Sequence, residues 1–163
     1  VYICNVDEES ALSGNDFTKK IYDYARSNKA EVLLVSAKIE SEISQISDEN
    51  EKQEFLKSMG LFETGLKRVI RKGYEILNYI NYFTAGEKEL RAWTITKGTL
   101  APNAAGTIHS DMEKGFIRAE TISFDDYIEY NGESGAKEKG KLRLEGKEYE
   151  VKDGDIMHFL FNV

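Results

Sequence analysis

Two polar segments follow apolar runs near the start of the chain, and their side chains could bind a ligand. Residues 5–8 read Asn-Val-Asp-Glu directly after one apolar run, and residues 35–38 read Val-Ser-Ala-Lys at the end of a second. In open parallel α/β sheets, ligands bind at the carboxyl ends of the strands. The two segments therefore predict one ligand-binding edge, although each of them alone also fits a polar exit from a strand.

The elements that must position these segments read as strand, helix and strand. Val1–Val6 and Glu31–Ala37 are apolar and predict strands. Between them, Asp16 can cap a helix whose apolar residues recur at helical spacing, namely Phe17, Ile21, Tyr24 and Ala25. Two fully apolar strands joined by a helix indicate a parallel sheet covered on both faces. Because two strands cannot form such a sheet alone, we expect a fragment of a larger domain.

The remainder of the first half predicts helices. Residues 39–58 are acidic and amphipathic and read as two short helices broken near Ser47-Asp48. Gly65–Ile80 carries an apolar stripe at helical spacing and predicts one amphipathic helix. Aromatic and small residues from Tyr79 onward end the helical period. We therefore place a domain boundary after Tyr82, which gives domains 1–82 and 83–163.

The second half begins with a strand and a compact helical segment. Leu90–Thr96 alternates in side-chain character and predicts a strand. Ala101–Glu120 predicts a short helix whose small residues let it lie close to a sheet, then a second helical turn and a strand from Phe116. Within this segment, Asp111 can cap the second turn, and Gly115 can end it in the left-handed conformation.

The last forty residues alternate between short elements and turns. Phe124–Tyr130 is amphipathic, and a polar loop is expected over residues 131–140. Gly146-Lys147 separates residues 142–145 from 148–151 and predicts a two-residue hairpin. A turn at Asp153-Gly154 then leads into a final strand, Ile156–Phe161.

Composition excludes several classes of protein. Hydrophobic residues make up 40% of the 163 residues, which fits a folded chain, and one Cys cannot form an internal disulfide. No apolar run approaches the roughly 20 residues of a membrane span. The net charge of −7 disfavours general binding to nucleic acid. We therefore expect no membrane partner and no DNA-specific binding. The best basic cluster, Lys67, Arg68, Arg71 and Lys72, fits the solvated face of a helix.

Residues that could hold a metal ion or perform catalysis are few. Cys4, His109 and His158 are too scattered for a zinc set. A hydrogen-bonded position at a helix end accounts for His109, and burial in a strand accounts for Cys4. We predict no metal site and no catalytic residue in this chain.

Two sets of residues resemble known families. The string TIHSDMEKGFIRAE, residues 107–120, resembles TGS domains, which are small β-grasp modules. Asn-x-x-Glu after one strand and Ser-Ala-Lys after the next, followed by that string, resemble the YchF-type, Obg-related P-loop ATPases. Gly65–Ile80, the segment YFTAGEKELRAWTI and the ending KDGDIMHFLFNV are similar to the same family's carboxyl-terminal portion. The resemblance implies the end of an α/β P-loop domain followed by an α+β β-grasp TGS domain.

The resemblance also implies a base-reading site. P-loop GTPases carry Asn-Lys-x-Asp, whose carboxylate accepts two hydrogen bonds from guanine. Here Val6 replaces the Lys and Glu8 replaces the Asp. Because the carboxylate moves outward and the Lys is lost, guanine recognition weakens, and a relaxed or adenine-leaning preference is expected. The implied base-binding residues are Asn5, Val6, Glu8, Ser36, Ala37 and Lys38.

The function implied by the resemblance is that of a larger protein. It is a cytoplasmic, ribosome-associated nucleoside triphosphatase that uses ATP or GTP with Mg²⁺, and its TGS domain is a docking or regulatory surface for the ribosome or ribosomal RNA. The sequence contains no G-x-x-x-x-G-K-[ST] motif, so we expect this chain alone to hydrolyse no nucleotide and to bind none tightly. Two alternatives stay open: a stand-alone β-grasp module that binds RNA or protein, and the tail of a true GTPase that tolerates Glu8.

Overall fold

The structure, a computed structural model, describes residues 1–86 and 89–162. The chain is α/β, with one small parallel sheet and one mixed sheet, and it divides into two compact units, Val1–Gly73 and Tyr74–Val163. Within the described ranges, no helix is both long and apolar enough to cross a membrane.

The first unit begins with the predicted order of strand, helix and strand. These elements are β1 (Tyr2–Asn5), α1 (Asp16–Ser27) and β2 (Val32–Val35). The two strands pair in parallel, as predicted. Within the described residues, β1 pairs with β2 alone and Ile3 is 53% exposed, so the covered sheet of a larger domain stays an expectation.

The start of α1 differs from the prediction by one residue. Asn15, not Asp16, is the N-cap, and its Oδ1 accepts hydrogen bonds from the backbone N–H groups of Phe17 and Thr18, each at 3.1 Å. The Thr18 hydroxyl accepts a bond from the Asn15 N–H at 2.8 Å, which completes a capping box. Asp16 is the first helical residue, and its negative carboxylate interacts favourably with the positive end of the helix dipole.

Three further helices complete the first unit. They are α2 (Ala37–Gln45), α3 (Glu49–Ser58) and α4 (Gly65–Leu77). The predicted break between α2 and α3 is confirmed, and Asp48 caps α3. Buried apolar side chains form the core of this unit, namely Ala11, Ile39, Ile43, Leu56 and Leu61. Helix α4 ends at Leu77, three residues before the predicted Ile80, because Asn78 takes a positive φ of 53° and Tyr79 begins a strand.

The second unit contains a five-stranded mixed sheet. Its elements are β3 (Tyr79–Ala85), β4 (Leu90–Thr96), α5 (Ala101–Ile108), α6 (Ser110–Lys114), β5 (Phe116–Ile122), α7 (Phe124–Glu129), α8 (Glu133–Glu138), β6 (Arg143–Glu145) and β7 (Ile156–Phe161). The strand order is β4-β3-β7-β5-β6. β3 and β7 are parallel, and the other neighbours are antiparallel.

The division between the two units lies before β3. The predicted boundary after Tyr82 falls in the middle of that strand, whereas the compact units divide between Gly73 and Tyr74. Tyr82 is fully buried in the core of the second unit, and its hydroxyl donates to the carbonyl of Ala104 at 2.9 Å. The aromatic and small residues that end the helical period in the sequence therefore begin the sheet of the second unit.

Helix α5 lies close to the sheet, as its small residues predict. Ala101, Ala104 and Ala105 are fully buried against the core that includes Tyr82 and Phe159. Those two aromatic rings meet edge to face, and the small side chains on the helix leave room for them.

The turn that follows α5 is held differently from the prediction. His109 caps α6, because its Nδ1 accepts the N–H of Asp111 at 3.2 Å. Gly115 has a φ of −89°, so it is not left-handed. A Cβ atom at Gly115 would lie 2.1 Å from the carbonyl oxygen of Asn162. The glycine is required for space and not for its backbone angle.

Two predictions for the last forty residues are wrong. The polar loop over residues 131–140 contains α8, Glu133–Glu138. The hairpin around Gly146-Lys147 does not form, because β6 pairs with β5 while Glu150 bridges Leu100. Alternating polarity predicts a strand but does not specify its partner.

Candidate functional site

The two polar segments predicted to bind a ligand meet at the carboxyl ends of β1 and β2. Asn5 lies opposite Val35, and the Val6 N–H donates to the Val35 carbonyl at 2.9 Å. The parallel pairing brings the residues that follow each strand to one edge of the sheet. The juxtaposition expected from the sequence is present.

Asn5 joins the two segments directly. Its Oδ1 accepts the backbone N–H of Ala37 at 3.0 Å. Ala37 is the first residue of α2, and the N-cap residue Ser36 makes no side-chain cap bond. The first N–H groups of a helix have no intrahelical partner. Asn5 therefore satisfies one such group from a position 32 residues earlier in the chain.

Glu8 and Lys38 form a second link between the segments. The Lys38 Nζ lies 2.6 Å from Glu8 Oε2, and both side chains are partly exposed to solvent. The hydrogen bond to Glu8, followed by the attraction between the two charges, raises the pKa of the Lys38 ammonium group. The ion pair holds the Glu8 carboxylate toward the start of α2.

Asp7, which lies between Val6 and Glu8, serves its own loop. Its Oδ1 accepts the N–H of Ser10 at 2.8 Å, and hydrogen bonds from Ser10 lower the pKa of the Asp7 carboxyl. This local turn leaves Glu8 as the carboxylate that faces the second segment. The structure thus separates two neighbouring acidic residues into a turn former and a candidate ligand-binding group.

Ser36 contributes a buried hydroxyl with no partner. The residue is 4% exposed, and among the described residues its Oγ has no hydrogen-bond partner. An unpaired buried polar atom is costly and calls for an explanation such as a bound group. Its position next to Ala37 places that hydroxyl at the edge where the two segments meet.

A cavity beside β1 involves residues that sequence reasoning did not assign to a site. It has a volume of about 360 Å³. Its lining combines Cys4, Asn5 and Val6 with Asn15, Phe17, Thr18 and Ile21. Phe17 is 78% exposed although its helical spacing predicts an inward position. The helical spacing of Phe17 is the same for an aromatic residue that lines a cavity and for one in a core, so the sequence could not distinguish the two.

Other candidate residues have structural partners. Arg68 donates to the Leu34 carbonyl at 2.6 Å, Arg71 pairs with Glu63, and Lys72 pairs with Glu31 at 2.7 Å. Three of the four cations in the basic cluster therefore have partners in their own unit, which disfavours a nucleic-acid contact. The expected solvated face does not describe Arg68, because its Nε is buried. Over residues 1–86 and 89–162, no group of three or more His, Cys, Asp or Glu side chains could hold a metal ion.

Trp93 and His158 lie in the second unit. Trp93 packs against the core, its Nε1 donates to Thr84 Oγ1 at 3.0 Å, and the Arg91 guanidinium lies 4.1 Å from its ring centroid. These contacts occupy the ring that could otherwise stack on a base. His158 is exposed, whereas its neighbours Met157 and Phe159 are buried, because successive side chains of a strand point to opposite faces.

Comparison with known proteins identifies the family. The family model YchF-GTPase_C, described as a protein of unknown function (DUF933), matches residues 79–162. The chain belongs to the YchF family. The match begins at the first residue of β3 and so covers the mixed sheet of the second unit.

Named members of the YchF family extend the likeness to the whole chain. The "Ribosome-binding ATPase YchF" of Haemophilus influenzae is 55% identical over 163 residues, and that of Bacillus subtilis is 53% identical over 165 residues. The chain spans 44% and 45% of the length of these two relatives. The structure of the Schizosaccharomyces pombe YchF GTPase is similar with a TM-score of 0.85 and 36% identity, covering 98% of this chain and 43% of that one.

Proposed function

We propose that this chain is the carboxyl-terminal portion of a YchF-type nucleoside triphosphatase that binds ribosomes. The first unit contributes the residues that read the purine base of ATP or GTP, and the second unit contributes a docking or regulatory surface. The phosphates and Mg²⁺ would be held by parts of the longer protein outside this chain. Such a protein works in the cytoplasm, where ribosomes are.

The observation that carries the proposal is the contact between the two segments at the ends of β1 and β2. Asn5 Oδ1 lies 3.0 Å from the Ala37 nitrogen, and Glu8 Oε2 lies 2.6 Å from Lys38 Nζ. The residues that the family resemblance marks as base-reading are thus neighbours in space although about thirty positions separate them in the sequence. Two motifs that occurred by chance would have no reason to lie next to each other in the fold.

The groups at this edge fit a purine base. The Nδ2 of Asn5 has no hydrogen-bond partner among the described residues and can donate to a ring nitrogen of either purine. The buried Ser36 hydroxyl, which has no partner there either, can donate or accept. Val6 stands where a GTPase has a Lys; it lines the cavity beside β1 but is only 9% exposed, so it adds little stacking surface. This set distinguishes the two purines weakly, so we propose binding of both, with a lean toward ATP.

The second unit is, in this proposal, a TGS domain of the β-grasp type. Its β3–β4 hairpin, the crossing helix α5 and the parallel pairing of β3 with β7 in the middle of the sheet support that assignment. The names of the bacterial relatives include ribosome binding. We therefore propose that this domain contributes to contact with the ribosome or its RNA through a local surface, because the chain as a whole is acidic.

Nucleotide affinity of the longer protein tests the base-reading role. We expect Asn5→Ala to weaken binding of ATP and GTP together by about tenfold or more, because it removes a base contact and the bond that holds Ala37. Isothermal titration calorimetry in the presence of Mg²⁺ gives both dissociation constants.

The matched control is Asn28→Ala. Asn28 lies at the other end of α1, where its Nδ2 donates to the Tyr24 carbonyl at 2.9 Å. This variant should bind both nucleotides as the wild type does. A wild type that binds neither nucleotide would favour the stand-alone binding module. Equal affinities for the wild type and Asn5→Ala would remove Asn5 from the site.

A further inference from the structure

The Lys38 side chain of the candidate site forms an ion pair with Glu8, another residue of that site. Its Nζ lies 2.6 Å from Glu8 Oε2, across 30 positions of sequence. The bond joins the loop after β1 to the first turn of α2, so it fixes the direction in which the Glu8 carboxylate points. The other ion pairs of Lys with Asp or Glu on α1 and α3 join residues three positions apart on the same helix.

Guanine and adenine make different demands on a carboxylate. Guanine presents two donors, N1–H and the 2-amino group, which pair with the two oxygens of one carboxylate. Adenine has no proton on N1 and no 2-amino group, so a carboxylate gains nothing from it at that edge. A carboxylate that already accepts a charge-assisted bond from Lys38 has one lone pair fewer for guanine, and that bond also fixes its direction.

We propose that Lys38 is a positioning residue that influences base selection by binding the Glu8 carboxylate. The ion pair occupies the carboxylate that could otherwise read guanine, and so it shifts the preference of the site toward adenine. This inference rests on the proposed nucleotide-binding function. In this inference, Lys38 affects the ratio of ATP affinity to GTP affinity although it lies outside the Asn-x-x-Glu motif.

The neighbouring groups limit the alternatives to this role. Asp7 is held by Ser10 and does not compete for Lys38. Asn5 is held by Ala37, so the loop after β1 is fixed independently of the ion pair. Loss of Lys38 therefore frees the Glu8 side chain while the backbone that carries it keeps its anchor.

The test measures ATP and GTP dissociation constants on the longer protein for the wild type, Lys38→Met and Lys38→Arg. Met keeps the length and apolar character of the Lys stem and removes the charge. The pair is partly exposed, and such pairs correspond to about two- to fivefold in an equilibrium constant. We expect Lys38→Met to raise the preference for GTP over ATP by about that factor. Lys38→Arg, which can restore the ion pair, should keep the wild-type ratio.

The same Lys38 substitution in a Glu8→Gln variant distinguishes an effect through Glu8 from a general effect of the Lys38 charge. In Glu8→Gln, the amide no longer forms the ion pair, so adding Lys38→Met should leave the affinity ratio unchanged. Lys52→Met is the matched control, because Lys52 forms a comparable pair with Glu49 at 2.8 Å on α3 and is not part of the candidate site. It should leave both affinities at the wild-type level.

The outcomes distinguish this inference from the proposed function. A wild type that binds neither nucleotide overturns both. A wild type that binds nucleotide through Asn5, with a ratio that Lys38→Met does not move, overturns the positioning role and leaves the proposed function standing. The same shift of the ratio in the Glu8→Gln background also overturns it, because Lys38 would then act without Glu8.

Discussion

Gly115 occupies a position in the second unit where no larger side chain fits. The N–H of Asn162 donates to the Gly115 carbonyl at 2.9 Å, and this bond brings the end of the chain against the turn between α6 and β5. A Cβ atom would meet the backbone of Asn162 and not a movable side chain. The contact lies at the end of β7, so it ties the last strand to the helical segment.

Gly115→Ala should therefore destabilise the second unit. We expect the free energy of unfolding to fall by about 1–3 kcal/mol, because the backbone of residue 162 must move. Urea denaturation of this chain, followed by the fluorescence of Trp93, reports on this unit because Trp93 is the single tryptophan.

Gly146→Ala is the control for Gly115→Ala. No atom lies within 4 Å of the position that its Cβ would occupy. Its free energy of unfolding should stay within about 0.5 kcal/mol of the wild type. Equal effects of the two substitutions would show that the close approach of Asn162 does not stabilise the fold.

At the scale of elements, the start of α1 depends on a capping box. Asn15 and Thr18 exchange side-chain and backbone hydrogen bonds, and this exchange satisfies donors that the helix leaves unpaired. The cap also orients the first turn, which carries Phe17 and Thr18 of the cavity beside β1.

Asn15→Ala should lower the free energy of unfolding of the first unit by about 1 kcal/mol, a typical loss for an N-cap residue. Asp16→Ala should have a smaller effect, because Asp16 makes an exposed pair with Lys19 and caps nothing. Circular dichroism during urea denaturation measures both. A larger loss of unfolding free energy for Asp16→Ala than for Asn15→Ala would indicate that Asp16 is the N-cap residue, as the sequence predicts.

The elements show which features a sequence specifies locally. Periodicity predicts the order of strand, helix and strand in the first unit. A capping residue predicts the break before Asp48, and small side chains predict the close packing of Ala104 and Ala105. The cap of α1 could not be placed, because Asn15 and Asp16 are both good N-caps and only the backbone angles select one. The partner of β6 could not be placed, because pairing with β5 is a long-range contact.

The candidate site divides in the same way. The positions of Asn5, Glu8 and Lys38 at strand ends were predictable, because parallel strands align their carboxyl ends. The bond from Ala37 to Asn5 and the pairing of Lys38 with Glu8 depend on the register of β1 against β2. The exposed position of Phe17 was not predictable, since its helical spacing is that of a core residue.

At the scale of the whole molecule, the two units have separate cores and unequal sheets. Among the described residues, β7 lies between β3 and β5 in a five-stranded sheet, whereas β1 pairs with β2 alone. Amide protons exchange slowly where opening requires the loss of a large buried core. The sheet of the second unit should be the more stable part of this chain.

Native-state hydrogen exchange of this chain measures that difference. We expect slower exchange for the amides of Ile156–Phe161 and Leu90–Thr96 than for those of Tyr2–Asn5, with the slowest amides in β7. Slower exchange in β1 than in β7 would mean that the first unit is the stable part of the molecule.

The role of residues 5–8 in reading the base is tested most directly by a double substitution in the longer protein. Val6→Lys with Glu8→Asp recreates Asn-Lys-x-Asp, with a Lys stem along the base and a shorter carboxylate for the N1–H and 2-amino donors of guanine. Two hydrogen bonds to a charged group contribute roughly 1.5–3 kcal/mol each, so the GTP-over-ATP preference could rise by about tenfold to a few hundredfold. We expect the lower end, about the value of one such bond, because the surroundings are not shaped for the O6 acceptor of guanine. Calorimetric dissociation constants for both nucleotides give this ratio. A ratio that stays constant or moves toward ATP would contradict base reading by this segment.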